Sequence, residues 1–352
     1  MRSLTARQVS EDRDRGSVLV LVGVMMTVLL GVGALTVDLG ALYDETRQLQ
    51  NGSDAGALAI AQSCAGGSCA GYAAQAQQYA NSNAKDNTSA VDVVCGVDAG
   101  SVLPACTGTV PGTSGMAHWV KVTTSTRTTG GGTQVPFVLA PIMNSLTGST
   151  ARRTSVAAWG ILSAAVTSPL TFSACEFTAL GGSLSTGAFP SGTATIVFHS
   201  VGGALETGVG HCTPSTSNQD FPGGFGKLAN VVNCTTTAIV SVGDWVPAQT
   251  GGSAPNCDLT TWQNTEILIS VYDQVTGTGS NALYHIIGFV GFTITGYRFP
   301  GNGNTNRWPS NFSCPGTGNS TSCVRGQFTR VITTGSLGGT VNLGAQVIKM
   351  VG

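Results

Sequence analysis

Twenty consecutive residues without a charge, Val18 to Val37 (VLVLVGVMMTVLLGVGALTV), decide more about this chain than any other stretch. At a rise of about 1.5 Å per residue such a run spans roughly 30 Å, the thickness of a bilayer's hydrocarbon. Its length predicts a transmembrane helix rather than a core helix. The next segment, LYDETRQLQNGSDAGALAIAQ, keeps a helical composition. The membrane helix is therefore expected to continue outward as an amphipathic stem. In the stem, Leu39, Leu42, Tyr43 and Leu49 recur at spacings that place them largely on one face, and Leu58 extends the set. That face suits packing on another helix or on the chain's own globular part.

Orientation follows from the basic residues. Arg2, Arg7, Arg13 and Arg15 precede the run, whereas Asp38, Asp44 and Glu45 come before Arg47 on its far side. Lys and Arg set topology, and acids count for little. The expected arrangement is a cytoplasmic tail (1–16), a transmembrane helix (17–37), a helical stem (38–63) and an extracytoplasmic remainder. A cleaved signal peptide would have a shorter apolar core and a small-x-small cleavage site, and Gly33-Ala34-Leu35-Thr36 is a poor one. Cleavage by a prepilin peptidase after Gly16 would need Glu at the place held by Leu21. Gly23, Gly31 and Gly33 permit close helix approach, but glycine is common in membrane helices.

Composition supports an outside location. Only 9% of residues are charged and 49 are glycine, so Gly, Thr, Ser and Asn cover much of the surface. The formal net charge of −1 gives no electrostatic reason to expect nucleic acid. All ten cysteines follow the apolar run. An even number in an oxidising compartment points to disulfides. Short-range pairing gives Cys64–Cys69, Cys95–Cys106, Cys175–Cys212, Cys234–Cys257 and Cys314–Cys323, although spacing alone cannot fix connectivity. No CxxC pair occurs and the histidines are scattered, so no metal or other cofactor is expected.

The segment RGSVLVLVGVMMTVLLGVGALTVDLGALYDETRQLQNGSDAGALAIAQ resembles the N-terminal part of TadE/TadG-like proteins of the Flp (Tad) pilus-assembly family. Three features carry the resemblance. Arg15-Gly16 stands before the apolar run, and Val37-Asp38-Leu39-Gly40 closes it. The block Leu49-Gln50-Asn51 then leads to Asp54, Ala55, Ala57, Leu58 and Ala59. The family usually has Ala where this chain has Gly52 and Gly56. The resemblance implies a membrane-anchored assembly component whose partners are membrane lipid and other pilus-assembly proteins met through the N-terminal helix, with homo-oligomers open. The metal-binding von Willebrand A-type domain of some relatives is not implied, because the chain lacks DxSxS.

Past the stem, a helix over Gly71–Ala84, a strand at Val91–Val94, β segments at Ala117–Thr126 and Ser149–Leu162, and a short helix over Pro136–Leu146 suggest a small α+β unit (64–166). From residue 167 the chain becomes β-rich. Strands are expected at Thr193–His199, Ala238–Val242, Thr265–Tyr272, Leu283–Tyr297, Gln327–Thr333 and Val341–Met350. The fold class is thus a transmembrane helix extended as a stem, a small α+β unit, and a disulfide-stapled, sandwich-like β domain.

No catalytic motif survives inspection. Phe221-Pro222-Gly223-Gly224-Phe225-Gly226-Lys227 fails the spacing of a phosphate loop, and Leu228 replaces its Ser or Thr. Gly277-Thr278-Gly279-Ser280-Asn281-Ala282 is followed by a strand-like run and reads as a hairpin turn, not a dinucleotide site. His211-Cys212 is better read as a disulfide half than as a thiol nucleophile. Asp273 lacks the ligand count of a calcium loop. Trp119 and Trp159 read as core or sheet residues; Trp245 and Trp308 lie near loops and are open to a role as contact anchors, although burial is the commoner fate. A structural assembly role is expected. The alternatives are a pilin-like subunit that polymerises into a surface filament, and a secreted or anchored enzyme or adhesin.

Overall fold

The apolar run and the stem form one continuous helix, α1 (Gln8–Ala65), in the computed structural model of the chain. Its 58 residues correspond to about 87 Å. The structure describes residues 8–138, 141, 147–185, 187–199, 226–249, 254–255, 257–277, 281–300, 306–315 and 321–351. Val18 to Val37 stand bare of other protein except at one face, and the stretch is long and apolar enough to cross a membrane.

The stem half of α1 is clothed by the head. A second helix, α2 (Tyr72–Ser82), folds back on it after a turn closed by Gly67 and Gly71, both at positive φ. The strands then follow: β1 (Ala90–Val97), β2 (His118–Ser125), the hairpin β3 (Val135–Pro136) and β4 (Gly148–Ser149), and the long β5 (Arg152–Ala165). The helix expected over 136–146 starts inside this hairpin, since Pro136 pairs with Gly148. Residues 139–140 and 142–146 lie outside the described residues.

After β5 come β6 (Thr171–Ser173), the one-turn α3 (Ala174–Ala179), β7 (Thr193–His199), β8 (Val231–Val232), β9 (Thr235–Thr236), β10 (Val240–Ser241) and β11 (Trp245–Pro247). The last strands are β12 (Glu266–Thr276), β13 (Leu283–Arg298), β14 (Arg307–Trp308), β15 (Ser322–Thr329), β16 (Val331–Ile332), β17 (Ser336–Leu337) and β18 (Ala345–Met350). Two sheets result. The first runs β1-β2-β5-β18-β16, with β10 and β17 also on β5. The second runs β6-β12-β13-β15-β7, with β11 and β14 on β13. The segment 277–282 links the antiparallel pair β12 and β13.

The layers are helices, first sheet, second sheet, and the loops outside it. One cluster joins Ala57, Ile60 and Ala61 of α1 and Ala76 of α2 to Val120, Val122, Ala157 and Trp159 of the first sheet. A second fills the space between sheets, with Leu162, Ala165 and Val347 against Tyr272, Tyr284, Ile286 and Phe289. A third lies on the outer face of the second sheet and packs Phe177 and Phe292 edge to face on Phe328, with Phe172 tilted against the same ring. β5 is buried on both faces, which explains its run Val-Ala-Ala-Trp. β18 pairs with β5 in antiparallel register, Ile348 opposite Trp159. The end of the chain thereby belongs to the sheet that carries the stem.

Candidate functional site

The stem divides its faces cleanly. Toward the head it presents Leu49, Gly52, Ser53, Gly56, Ala57, Ile60 and Ala61, all buried. These recur every three or four residues and are small, so backbone can approach backbone. Gly52 meets the backbone of Ala80, and Gly56 that of Ala76. Of the residues expected to form one packing face, Leu49 is turned inward, and its carbonyl accepts the Thr124 hydroxyl at 2.9 Å. Leu42 is half-buried, while Leu39, Tyr43 and Leu58 face outward. Arg47 lies over the Tyr43 ring at 5.5 Å.

A polar clamp fixes helix to sheet. The Ser155 hydroxyl of β5 donates to the Asp54 carboxylate and lies 2.6 Å from the Ser53 hydroxyl. The Gln50 amide donates to Asp54 at 2.9 Å and to Ser155 at 3.0 Å. Ser53 and Ser155 are fully buried, so these bonds form where water cannot replace them. Lower down, the Lys85 ammonium reaches Asp44 at 2.6 Å and its backbone N–H donates to Gln48 at 2.6 Å. The Lys85 hydrogen bond holds the Asp44 carboxyl below its usual range, against a burial effect that raises it. Burial pushes the neighbouring Glu45 up, although Thr126 hydrogen-bonds to it.

The cysteines sit at the edges of the head. Cys64–Cys69 closes the turn that ends α1, and Cys95–Cys106 ties β1 to the loop after it. Cys234–Cys257 bridges two loops, and Cys314–Cys323 ties a loop to β15 of the second sheet. Cys175 is disulfide-bonded. Cys212 and His211 lie outside the described residues, as does Phe221–Phe225.

Elsewhere among the described residues two further polar groupings stand out. A cavity of about 530 Å³ opens beside the Cys64–Cys69 turn, lined by Asp98, His118, Trp159 and Arg330 among others. Burial raises the Asp98 carboxyl, but the backbone N–H groups of Leu103, Val102 and Gly100 outweigh it and hold the group below its usual range. Asp98 thereby caps the loop after β1, and the His118 ring packs on Trp159. His285 Nδ1 lies 2.6 Å from Asp273 at the β12–β13 edge, with Trp245 against the ring. Among the described residues, no three His, Cys, Asp or Glu side chains group as metal ligands.

The candidate feature is therefore the helix: one half naked and apolar, the other locked to a folded head. Residues 16–63 match the Flp pilus-assembly TadE/G-like family. The chain carries a TadE/G-like segment. That segment is α1 itself, from just before the apolar run to just before the Cys64 turn. Two of its marks now have physical roles: Gln50 and Asp54 grip Ser155, and Asp38 accepts the Val138 N–H at 2.9 Å. No curated protein and no solved structure matches the chain. Sequence reading missed the clamp because its partner, Ser155, is one hydroxyl in a strand and belongs to no motif.

Proposed function

We propose that the protein is a structural component of a Tad (Flp) type pilus or related secretion machine. The apolar half of α1 anchors it in the membrane, its N-terminus cytoplasmic and its head outside. The observation that carries this reading is the coincidence of the TadE/G-like segment with a helix that is bare over one half and rigidly joined to the head over the other. A helix fused to its head transmits position and force without a hinge. Its work is mechanical rather than catalytic.

The outward stem residues Leu39, Tyr43 and Leu58 are the contact surface for pilus-assembly partners in this reading. Leu49 is unsuited to test it, because Leu49→Asp would break the head. The test replaces Leu39 and Tyr43 together with Asp and follows co-purification with the other Tad proteins from membranes. Loss of partners with a normally folded head supports the reading; full recovery overturns it. A filament subunit is the second reading, favoured by the bare apolar half of α1, which copies of the chain could bury against one another. Recovery of the protein in sheared surface filaments would select it.

A further inference from the structure

The β3–β4 hairpin meets α1 where the apolar run ends. Asp38 is the first residue past the run, and it is tied to Val138 through the bond described above. Asp38 is 5% exposed and Ala34, one turn earlier on the same face, is 7% exposed. Around them Leu30, Val32, Leu35 and Val37 are each more than half exposed. Protein thus covers one face of the helix for about 6 Å, reaching below the outer end of the run. β3, just before Val138, also packs on α1.

The hairpin is built for that depth. The Phe137 N–H donates to the Thr147 carbonyl at 3.0 Å and the Val138 N–H to Asp38, so these two backbone donors are paired, as an apolar surrounding demands. Val138 is 70% exposed and Pro141 is exposed. Pro136, Phe137, Val138 and Pro141 carry neither a charge nor a hydrogen-bonding side chain. We propose that the Val138 end of this hairpin is a second membrane contact, resting in the interfacial layer of the bilayer that α1 crosses. The reach is appropriate, since interfacial elements sink about 5–10 Å into the headgroup and acyl boundary. Asp38 limits the depth, because a carboxylate resists entry into hydrocarbon. Two contacts on one bilayer fix the rotation of α1 about its axis, and with it the direction in which Tyr43 and Leu58 face.

The inference rests on the reading of α1 as a membrane span, and the test separates the two. Single cysteines are placed at Val138, at Val28 in mid-span and at Ile239, an exposed position on the head. The native cysteines are kept oxidised. Each full-length variant is labelled with the polarity-sensitive NBD fluorophore and reconstituted into phosphatidylcholine–phosphatidylglycerol vesicles, with or without lipid carrying a doxyl quencher high on the acyl chain. The expected result is quenching at Val138→Cys about threefold or more above that at Ile239→Cys. Equal quenching at these two positions, with Val28→Cys sheltered in lipid and its emission blue-shifted, overturns the second contact alone. An unshifted, water-like emission at Val28→Cys overturns the span and this proposal together.

Discussion

Gly52 and Ala80 touch backbone to backbone: a Cβ built on Gly52 would lie 3.1 Å from the Ala80 Cα. One turn further, a Cβ on Gly56 would stand 3.5 Å from the Ala76 Cα, an ordinary contact distance. The two glycines therefore respond differently to the alanine usual in the resembling family. Alanine gains up to about 1 kcal/mol of helix propensity over glycine. Gly56→Ala is expected to keep most of that gain and raise the melting temperature of the head. Gly52→Ala is expected to lose it to the clash, and Gly52→Leu to destabilise by about 1–3 kcal/mol through overpacking. Thermal unfolding of the detergent-solubilised chain, followed by near-ultraviolet circular dichroism, ranks the three.

The clamp at Ser155 makes a second prediction. Ser155→Ala removes the hydroxyl shared by Ser53 and Asp54 and is expected to cost about 1–3 kcal/mol. Asp54→Ala breaks the same network from the helix side. Because the two residues touch, the double variant should cost less than the sum of the singles, by about 0.5–2 kcal/mol. A double-mutant cycle in urea measures the coupling; strict additivity would mean that the helix is held by packing alone.

How much of this was legible in the sequence differs by residue. The apolar run announces itself, since no water-soluble role suits twenty uncharged residues. The long β12 and β13 were readable from their Val, Ile and aromatic content. Gly52 and Gly56 drew notice only as departures from a family pattern, because the residues they fit, Ala76 and Ala80, sit in a helix with no motif of its own. Pairing of β18 with β5 joins residues about 190 positions apart, and local propensity carries no trace of such a partner. The stem's apolar periodicity marked Leu49 and Tyr43 alike. Only the packing of the head on α1 separates the inward residue from the outward one.

Disulfide removal should scale with the loop each bond closes. Cys234–Cys257 spans 23 residues and Cys64–Cys69 spans 5. On the loop-entropy account, replacing the first pair with serine costs about 3 kcal/mol and the second about 2 kcal/mol. The Cys64–Cys69 variant should also fray the end of α1 without disturbing the clamp. Denaturant midpoints, with hydrogen exchange at Ala61 and Ala65, check both expectations.

Burial of a lysine gives the head a pH dependence in the alkaline range. Lys227 is 2% exposed, and burial lowers its pKa to about 8 from 10.5. Between these values the unfolded chain binds the proton more tightly than the folded one, so stability rises with pH. The rise is expected to be on the order of 2 kcal/mol between pH 7 and pH 10. Tyr284 acts in the opposite sense, since burial, helped by the Glu176 charge, raises its pKa. Above about pH 10 an unfolded tyrosine loses its proton before the buried one does, and stability falls. Urea midpoints should therefore climb through pH 8–10 and turn over beyond. Lys227→Met should abolish the climb and leave the alkaline fall, whereas Tyr284→Phe should do the reverse; a profile unchanged in the Lys227→Met chain would remove Lys227 as the cause.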